Sequence, residues 1–219
     1  MFLAINLIEM PNRAKARPLL IFGEHATVKS LGRRQRPRGF PRRVLVVERN
    51  QGRNLTQAYS VAMTLASLLY PKNFPQQLAS GLDRKTTYSK RVVLGKRSQK
   101  GIEGFYKNIN KGHYPFSNTD FRIHRELVSE KAEKEAQKIE QESGIVINSA
   151  EMNVGLEKKR GNIVFFEVGY LEIPKLKEKI ESLPERNEQQ RLIKKQARSL
   201  FEYLEKLQLK KGSNVLGVH

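Results

Sequence analysis

Apolar side chains recur along the chain with two different periods, which separate strand-like from helix-like regions. Short apolar runs rich in β-branched residues predict strands, whereas apolar residues spaced three and four apart predict amphipathic helices. The strands are predicted at 18–23, 43–48, 76–80, 88–94, 144–148 and 162–168. The helices are predicted at 55–70, 119–143, 174–183 and 185–209.

The helix boundaries follow from residues that begin or stop helices. Asn54 can cap the first predicted helix, and Pro71 cannot continue it. Asn118 or Thr119 can cap the long helix, and Gly144 is typical of a residue that ends one. Residues 95–117 are rich in Gly, Lys and Asn and are predicted to form a loop.

This order of elements predicts an α+β fold. Strands with one inserted helix come first, followed mainly by helices around a short hairpin. We expect a basic arm with the first strand at 1–43, a strand-rich lobe at 44–118 and a helical lobe at 119–219.

Composition excludes several kinds of chemistry. The chain has no cysteine, so disulfides, thiolate metal sites and a cysteine nucleophile are absent. The four histidines are scattered without metal-ligand spacing, so neither zinc nor haem is expected. No apolar run approaches the roughly 20 residues of a membrane helix, and the first ten residues make a poor signal peptide. We therefore expect a cytoplasmic protein, with an organellar matrix as the alternative.

The formal net charge of +19 is concentrated in the first half of the chain. Residues 1–118 hold 22 Lys/Arg and 5 Asp/Glu, whereas residues 119–219 hold 19 and 17. The strongest cluster lies in a Pro- and Gly-rich segment at 32–43, predicted to be a loop that contacts RNA or DNA. A basic surface that serves solubility alone is the alternative. The candidate nucleic-acid contacts are Arg33, Arg34, Arg36, Arg38, Arg42 and Arg43.

The most specific pattern lies at 144–172. Asn148 follows a short apolar strand, Asn153 comes five residues later, and Glu167-Val168-Gly169 begins fourteen residues after Asn153. This arrangement resembles the catalytic loop and metal-binding triplet of protein-kinase-like phosphotransferases, in which a catalytic Asp precedes a metal-binding Asn and an Asp-Phe-Gly triplet. The resemblance implies a two-lobed fold, with strand 43–48 and helix 55–70 in the small lobe.

The resemblance also implies that the catalytic positions are degraded. Phosphoryl transfer needs a carboxylate base, Mg²⁺ held by Asn and Asp, and a Lys–Glu pair on the phosphates. Here the base position is an amide, Asn148, strand 43–48 has no Lys, and helix 55–70 has no Glu. Asn153, Glu167 and Gly169 remain as candidate nucleotide-site residues, and Asn153 and Glu167 could hold Mg²⁺. The sequence thus favours a pseudokinase that binds or scaffolds, with ATP and Mg²⁺ as its implied ligands.

Three alternatives stay open at this point. The chain could be an active ATP-dependent phosphotransferase in which Glu151 replaces the missing base. It could instead be a basic protein of a ribonucleoprotein assembly that acts through its Arg-rich loop. The apolar stripe of helix 185–209 could either pack on the domain or dock on a protein partner. His124-Arg125-Glu126 resembles a catalytic triplet, but its helical surroundings predict an exposed helix face.

Overall fold

The computed structural model describes residues 17–22, 26–30, 40–41, 44–49, 53–80 and 86–209. These residues form an α+β fold, as predicted. Its strands are β1 Arg17–Phe22, β2 Ala26–Ser30, β3 Val44–Arg49, β4 Gln77–Ser80, β5 Thr86–Lys90, β6 Ile145–Ile147, β7 Val154–Leu156, β8 Ile163–Phe165 and β9 Val168–Leu171. Its helices are α1 Arg53–Leu69, α2 Lys96–Ile109, α3 Thr119–Ser143, α4 Ile173–Glu181 and α5 Glu188–Leu209.

The first five strands form one antiparallel sheet in the order β1-β2-β3-β5-β4. Strand β3 lies at its centre, with Val47 opposite Val28 of β2 and Val46 opposite Tyr88 of β5. Its alternate residues Val44 and Val46 are buried, which is the period-two pattern of a strand with one covered face. The predicted strands in this region are confirmed within a few residues, but β2 was not predicted.

A hydrophobic core joins α1 to the helices and short strands of the second half. Helix α1 buries Val61, Leu65 and Ala66, and it packs against α5, which buries Phe201 and Leu204. Full burial of a side chain such as Leu65 contributes about 2–3 kcal/mol, so this face determines where α1 lies. Of the two alternatives for the apolar stripe of the last helix, packing within the chain is the observed one.

The connection between α4 and α5 is fixed by buried and paired charges. Lys194 is almost fully buried, and its Nζ donates to the backbone carbonyl of Glu181 at 2.6 Å and pairs with Glu185 Oε1 at 2.8 Å. Arg198 forms a two-point pair with the Glu181 carboxylate. A lysine buried without such partners would be strongly unfavourable. These contacts therefore help to hold the start of α5 against the end of α4.

Helix α3 begins and ends as its sequence predicts. The Asn118 Oδ1 accepts a hydrogen bond from Phe121 N at 3.0 Å, and Gly144 ends the helix with a left-handed φ of +67°. On this helix the apolar Ile123 is exposed, whereas the polar His124 is fully buried.

Helix α2 contradicts the prediction of a loop at 95–117. Its buried residues are Ser98, Gly101, Ile102 and Phe105, which lie at helical spacing although two of them are small. A Cβ added at Gly101 would lie 2.2 Å from the Cβ of His124 and 2.8 Å from the Asp120 carbonyl oxygen. The close approach of α2 to α3 therefore requires glycine at position 101. Glycines are also what led to the prediction of a loop at 95–117.

Two short antiparallel pairs, β6–β9 and β7–β8, complete the fold beside α3. The predicted strand at 162–168 is divided into β8 and the start of β9, and β7 was not predicted. Helix α1 begins at Arg53, so Asn54 lies inside the helix and is not its cap. None of the helices in the described ranges is long and apolar enough to cross a membrane.

Candidate functional site

The loop after β6 carries the two asparagines and is organised by its own polar groups. The Asn148 Oδ1 accepts a hydrogen bond from Ala150 N at 3.4 Å, the local turn that this residue type favours. Asn153 N then donates to the Ala150 carbonyl at 2.7 Å, closing the single 3₁₀ turn Glu151–Asn153. Strand β7 starts directly afterwards, so Asn148 and Asn153 lie at the two ends of one tight loop.

Glu167 lies opposite this loop and contacts both asparagines. The Asn153 Nδ2 donates to Glu167 Oε2 at 2.7 Å, and the Asn148 Nδ2 donates to the same oxygen at 3.1 Å. Phe166 N also donates to the Asn153 carbonyl at 2.8 Å, which holds the end of β8 against the loop. The structure thus brings together three predicted site residues that are up to 19 positions apart.

Gly169 supports this arrangement through the backbone. Ile147 pairs with Val168 and Val146 pairs with Tyr170, so Gly169 is the extra residue of a β-bulge in β9. A Cβ at this position would lie 3.3 Å from the Val146 carbonyl oxygen and 3.6 Å from Asn148 N. Bulges redirect neighbouring side chains, and this one follows Glu167 by two residues. Gly169 therefore allows β9 to approach the start of the asparagine loop.

Glu151 does not join the carboxylate of Glu167. Its Oε1 pairs with Arg125 Nε at 2.9 Å, and its backbone carbonyl accepts from His124 Nε2 at 2.9 Å. The side chain is thus directed toward helix α3. Among the contacts of the described residues, none links it to Asn148 or Asn153.

The prediction that His124 belongs to an exposed face was wrong, although Arg125 and Glu126 are exposed. A carbonyl can only accept, so His124 Nε2 carries the proton that bonds Glu151. The buried Nδ1 has no hydrogen-bond partner within the described part of the chain. Burial lowers the pKa of His124, because charging the ring would cost its hydration, and the Glu151 contacts oppose this only in part.

Tyr106, which the sequence analysis did not single out, has a hydroxyl that the charge of Glu167 affects. It lies on α2 beside Phe105, at a ring-centroid separation of 5.4 Å. Burial raises the pKa of the Tyr106 hydroxyl, and the negative charge of Glu167 raises it further. Glu167 therefore influences Tyr106 through its charge. No sequence signal pointed to Tyr106, because the whole segment was predicted to be a loop.

The remaining candidates give a mixed result. All six arginines of the 33–43 cluster lie outside the described residues. Strand β3 contains no lysine and α1 contains no acidic residue, so these two elements do not supply the Lys–Glu pair of an active kinase.

The residues present fit Mg²⁺ only as a partial ligand set. Within the described ranges, no three His, Asp or Glu side chains are grouped so that they could hold a metal. Mg²⁺ is usually bound by one or two carboxylates and completed by phosphates and water. Glu167 could supply the carboxylate, and Asn153 could supply its side-chain oxygen Oδ1 while its Nδ2 donates to Glu167. Phosphate oxygens of a bound nucleotide, together with water, would have to supply the remaining ligands.

No family model matches the chain, and no match is found among curated proteins or among solved structures.

Proposed function

We propose that this protein is a kinase-like pseudoenzyme that binds a nucleotide at the Asn148–Asn153–Glu167 cluster and acts as a binding or scaffolding module. The observation that carries the proposal is the shared Glu167 Oε2, which accepts from Asn153 at 2.7 Å and from Asn148 at 3.1 Å. The family resemblance aligned these residues with the base, the metal-binding Asn and the metal-binding Asp.

The order of elements around the cluster supports the same interpretation. In protein kinases the phosphate-binding lysine lies on the third strand, its glutamate partner lies on the following helix, and the catalytic loop and metal-binding triplet come later. Here β3 precedes α1, and a long helix leads through β6 into the asparagine loop. The β7–β8 pair then leads to Glu167, so these elements follow the same sequence order, although the lysine and its glutamate partner are missing.

The chemistry of these side chains favours binding over phosphoryl transfer. An amide at Asn148 cannot accept the proton of a substrate hydroxyl as a carboxylate does. Its Nδ2 is instead a hydrogen-bond donor to Glu167, a role that an aspartate could not fill. Glu167 places one carboxylate in the cluster, which a cation bound with ATP could contact.

The test is a thermal-shift titration with ATP, with and without Mg²⁺. Ligand at about ten times its Kd stabilises the native state by about 1.4 kcal/mol, which raises Tm by roughly 3–6 °C for a chain of this size. We expect this shift for the wild type with Mg²⁺ and its loss in Glu167→Ala. Glu178→Ala, which removes an exposed carboxylate of α4, should behave like the wild type.

Tripolyphosphate is the necessary second ligand, because a chain of charge +19 attracts any polyanion. An equal shift with tripolyphosphate, or a shift that survives Glu167→Ala, would contradict a nucleotide site at the cluster. No shift at millimolar ATP would also contradict it. Phosphate transfer to a protein substrate that requires Glu167 would retain the site but refute the loss of activity.

A further inference from the structure

The tip of the β7–β8 hairpin lies directly beside the start of α2. Leu94 and Glu157 form an antiparallel bridge. Gly95 N donates to the Leu156 carbonyl at 2.9 Å, and Lys158 N donates to the Val93 carbonyl at 2.8 Å. Leu156 N in turn donates to the Ser98 Oγ at 3.0 Å. Residues 90–100 and 157–160 therefore form one continuous backbone surface, although about 60 residues separate them in sequence.

This surface, called the basic surface below, carries eight cationic residues and one carboxylate. All eight cations are exposed except Arg91, which is half-buried. The carboxylate of Glu157 is engaged in its own turn, where Oε2 accepts from Arg160 N at 3.1 Å. The eight are Lys90, Arg91, Lys96, Arg97, Lys100, Lys158, Lys159 and Arg160.

Acidic partners are scarce beside the basic surface within the described residues. The first turn of α2 contains no acidic residue, and Lys96 and Arg97 lie at the positive end of the helix dipole. The nearest acid further along the helix, Glu103, accepts from Gln99 Nε2 at 2.8 Å. Ion pairs within the described residues all lie elsewhere: Arg125–Glu151, Lys134–Glu130, Lys175–Glu172, Lys179–Glu142, Lys194–Glu185 and Arg198–Glu181.

We propose that the basic surface binds the phosphate backbone of a nucleic acid, independently of base sequence. Exposed Lys and Arg side chains on two adjoining segments suit several successive phosphates, and each contact releases a condensed counterion. A membrane-binding surface would also insert apolar side chains, but the large apolar residue exposed here is Val93, at only 38%. The proposal depends neither on the nucleotide site nor on the arginines at 33–43.

The test is fluorescence anisotropy with a labelled single-stranded RNA homopolymer, titrated at several salt concentrations. The variant Lys158→Ala/Lys159→Ala/Arg160→Ala removes the hairpin-tip cations without touching the core. A matched control, Lys131→Ala/Lys138→Ala/Lys195→Ala, removes the same charge from exposed positions on α3 and α5. Thermal melting of each variant verifies that its fold is intact.

Each single-strand phosphate contact contributes about 0.7 to the slope of log K against log salt. Loss of three contacts should therefore lower the slope by about 2 and weaken RNA binding by between about tenfold and a hundredfold at 0.1 M salt. The control should lose less than about threefold. Equal losses in both variants would mean that net charge alone attracts RNA, which would overturn the proposal. It would also be overturned by an unaffected hairpin variant, or by a wild type that binds anionic vesicles but not RNA.

Discussion

Gly101→Ala should destabilise the protein even though alanine is the better helix former. The added Cβ would lie 2.2 Å from His124 Cβ and 2.8 Å from the Asp120 carbonyl oxygen. Carbon atoms pack best at about 3.5–4.0 Å, so α2 and α3 must separate by more than about 1 Å. That movement would disturb the packing of Phe105 on Phe121, whose ring centroids are 4.7 Å apart.

The magnitude follows from two opposing terms. Overpacking of this kind lowers the free energy of unfolding by about 1–3 kcal/mol and sometimes more. Replacing a helical glycine by alanine raises it by about 1 kcal/mol through the better helix propensity of alanine. Because one neighbour of the new Cβ is backbone, which cannot rotate away, we expect a net loss of about 2 kcal/mol. For a chain of this length that corresponds to a fall in Tm of roughly 4–8 °C.

Urea unfolding followed by circular dichroism measures this loss directly. Lys107→Ala on the exposed face of α2 is the matched control and should stay within about 0.5 kcal/mol of the wild type. If Gly101→Ala were as stable as the wild type, or more stable by the alanine increment, α2 could not lie on α3 at this distance.

Two further predictions concern titration. The pKa of His124 is lowered in the folded protein, so on acidification this histidine is protonated in the unfolded chain before it is protonated in the folded one. The free energy of unfolding should therefore fall as pH decreases below about 6.5, by up to about 1.4 kcal/mol per pH unit. His124→Gln should remove this part of the pH dependence, and an unchanged pH profile in urea unfolding would contradict the assignment. Burial first, and the charge of Glu142 in addition, raise the pKa of Tyr70 to about 12. The protonated Tyr70 hydroxyl therefore contributes to the free energy of unfolding in full below pH 10, and this contribution is lost between pH 10 and 12. Ultraviolet titration should show one fewer late-titrating tyrosine in Tyr70→Phe, and an identical titration would refute the prediction.

Short-range sequence signals were sufficient to predict the ends of α3 and the residues of the asparagine loop. Asn118 and Gly144 defined α3 because capping depends only on a few neighbouring backbone groups. The spacing of Asn148, Asn153 and Glu167 selected residues that the structure brings to one carboxylate oxygen. Such spacing can be read from sequence because a short loop and a hairpin leave few ways to arrange the residues between them.

The elements that were missed depend on partners far away in sequence. Helix α2 buries Gly101 and Ser98 where periodicity analysis expects large apolar residues, and only the closeness of α3 makes small ones suitable. His124 is polar, so its burial could not be expected without knowledge of the Glu151 carbonyl that accepts its proton.

The contact between α1 and α5 has a consequence for synthesis of the chain on the ribosome. The apolar face of α1, with Val61 and Leu65 at its centre, is covered by a helix that begins 119 residues after α1 ends at Leu69. At translation rates of about 5–20 residues per second, the ribosome begins to synthesise α5 roughly 6–24 s after it completes α1. During this interval the nascent chain exposes the apolar face of α1. The yield of folded protein in cells should therefore depend on chaperones that bind short apolar segments. Slower translation between the two helices should lower this yield.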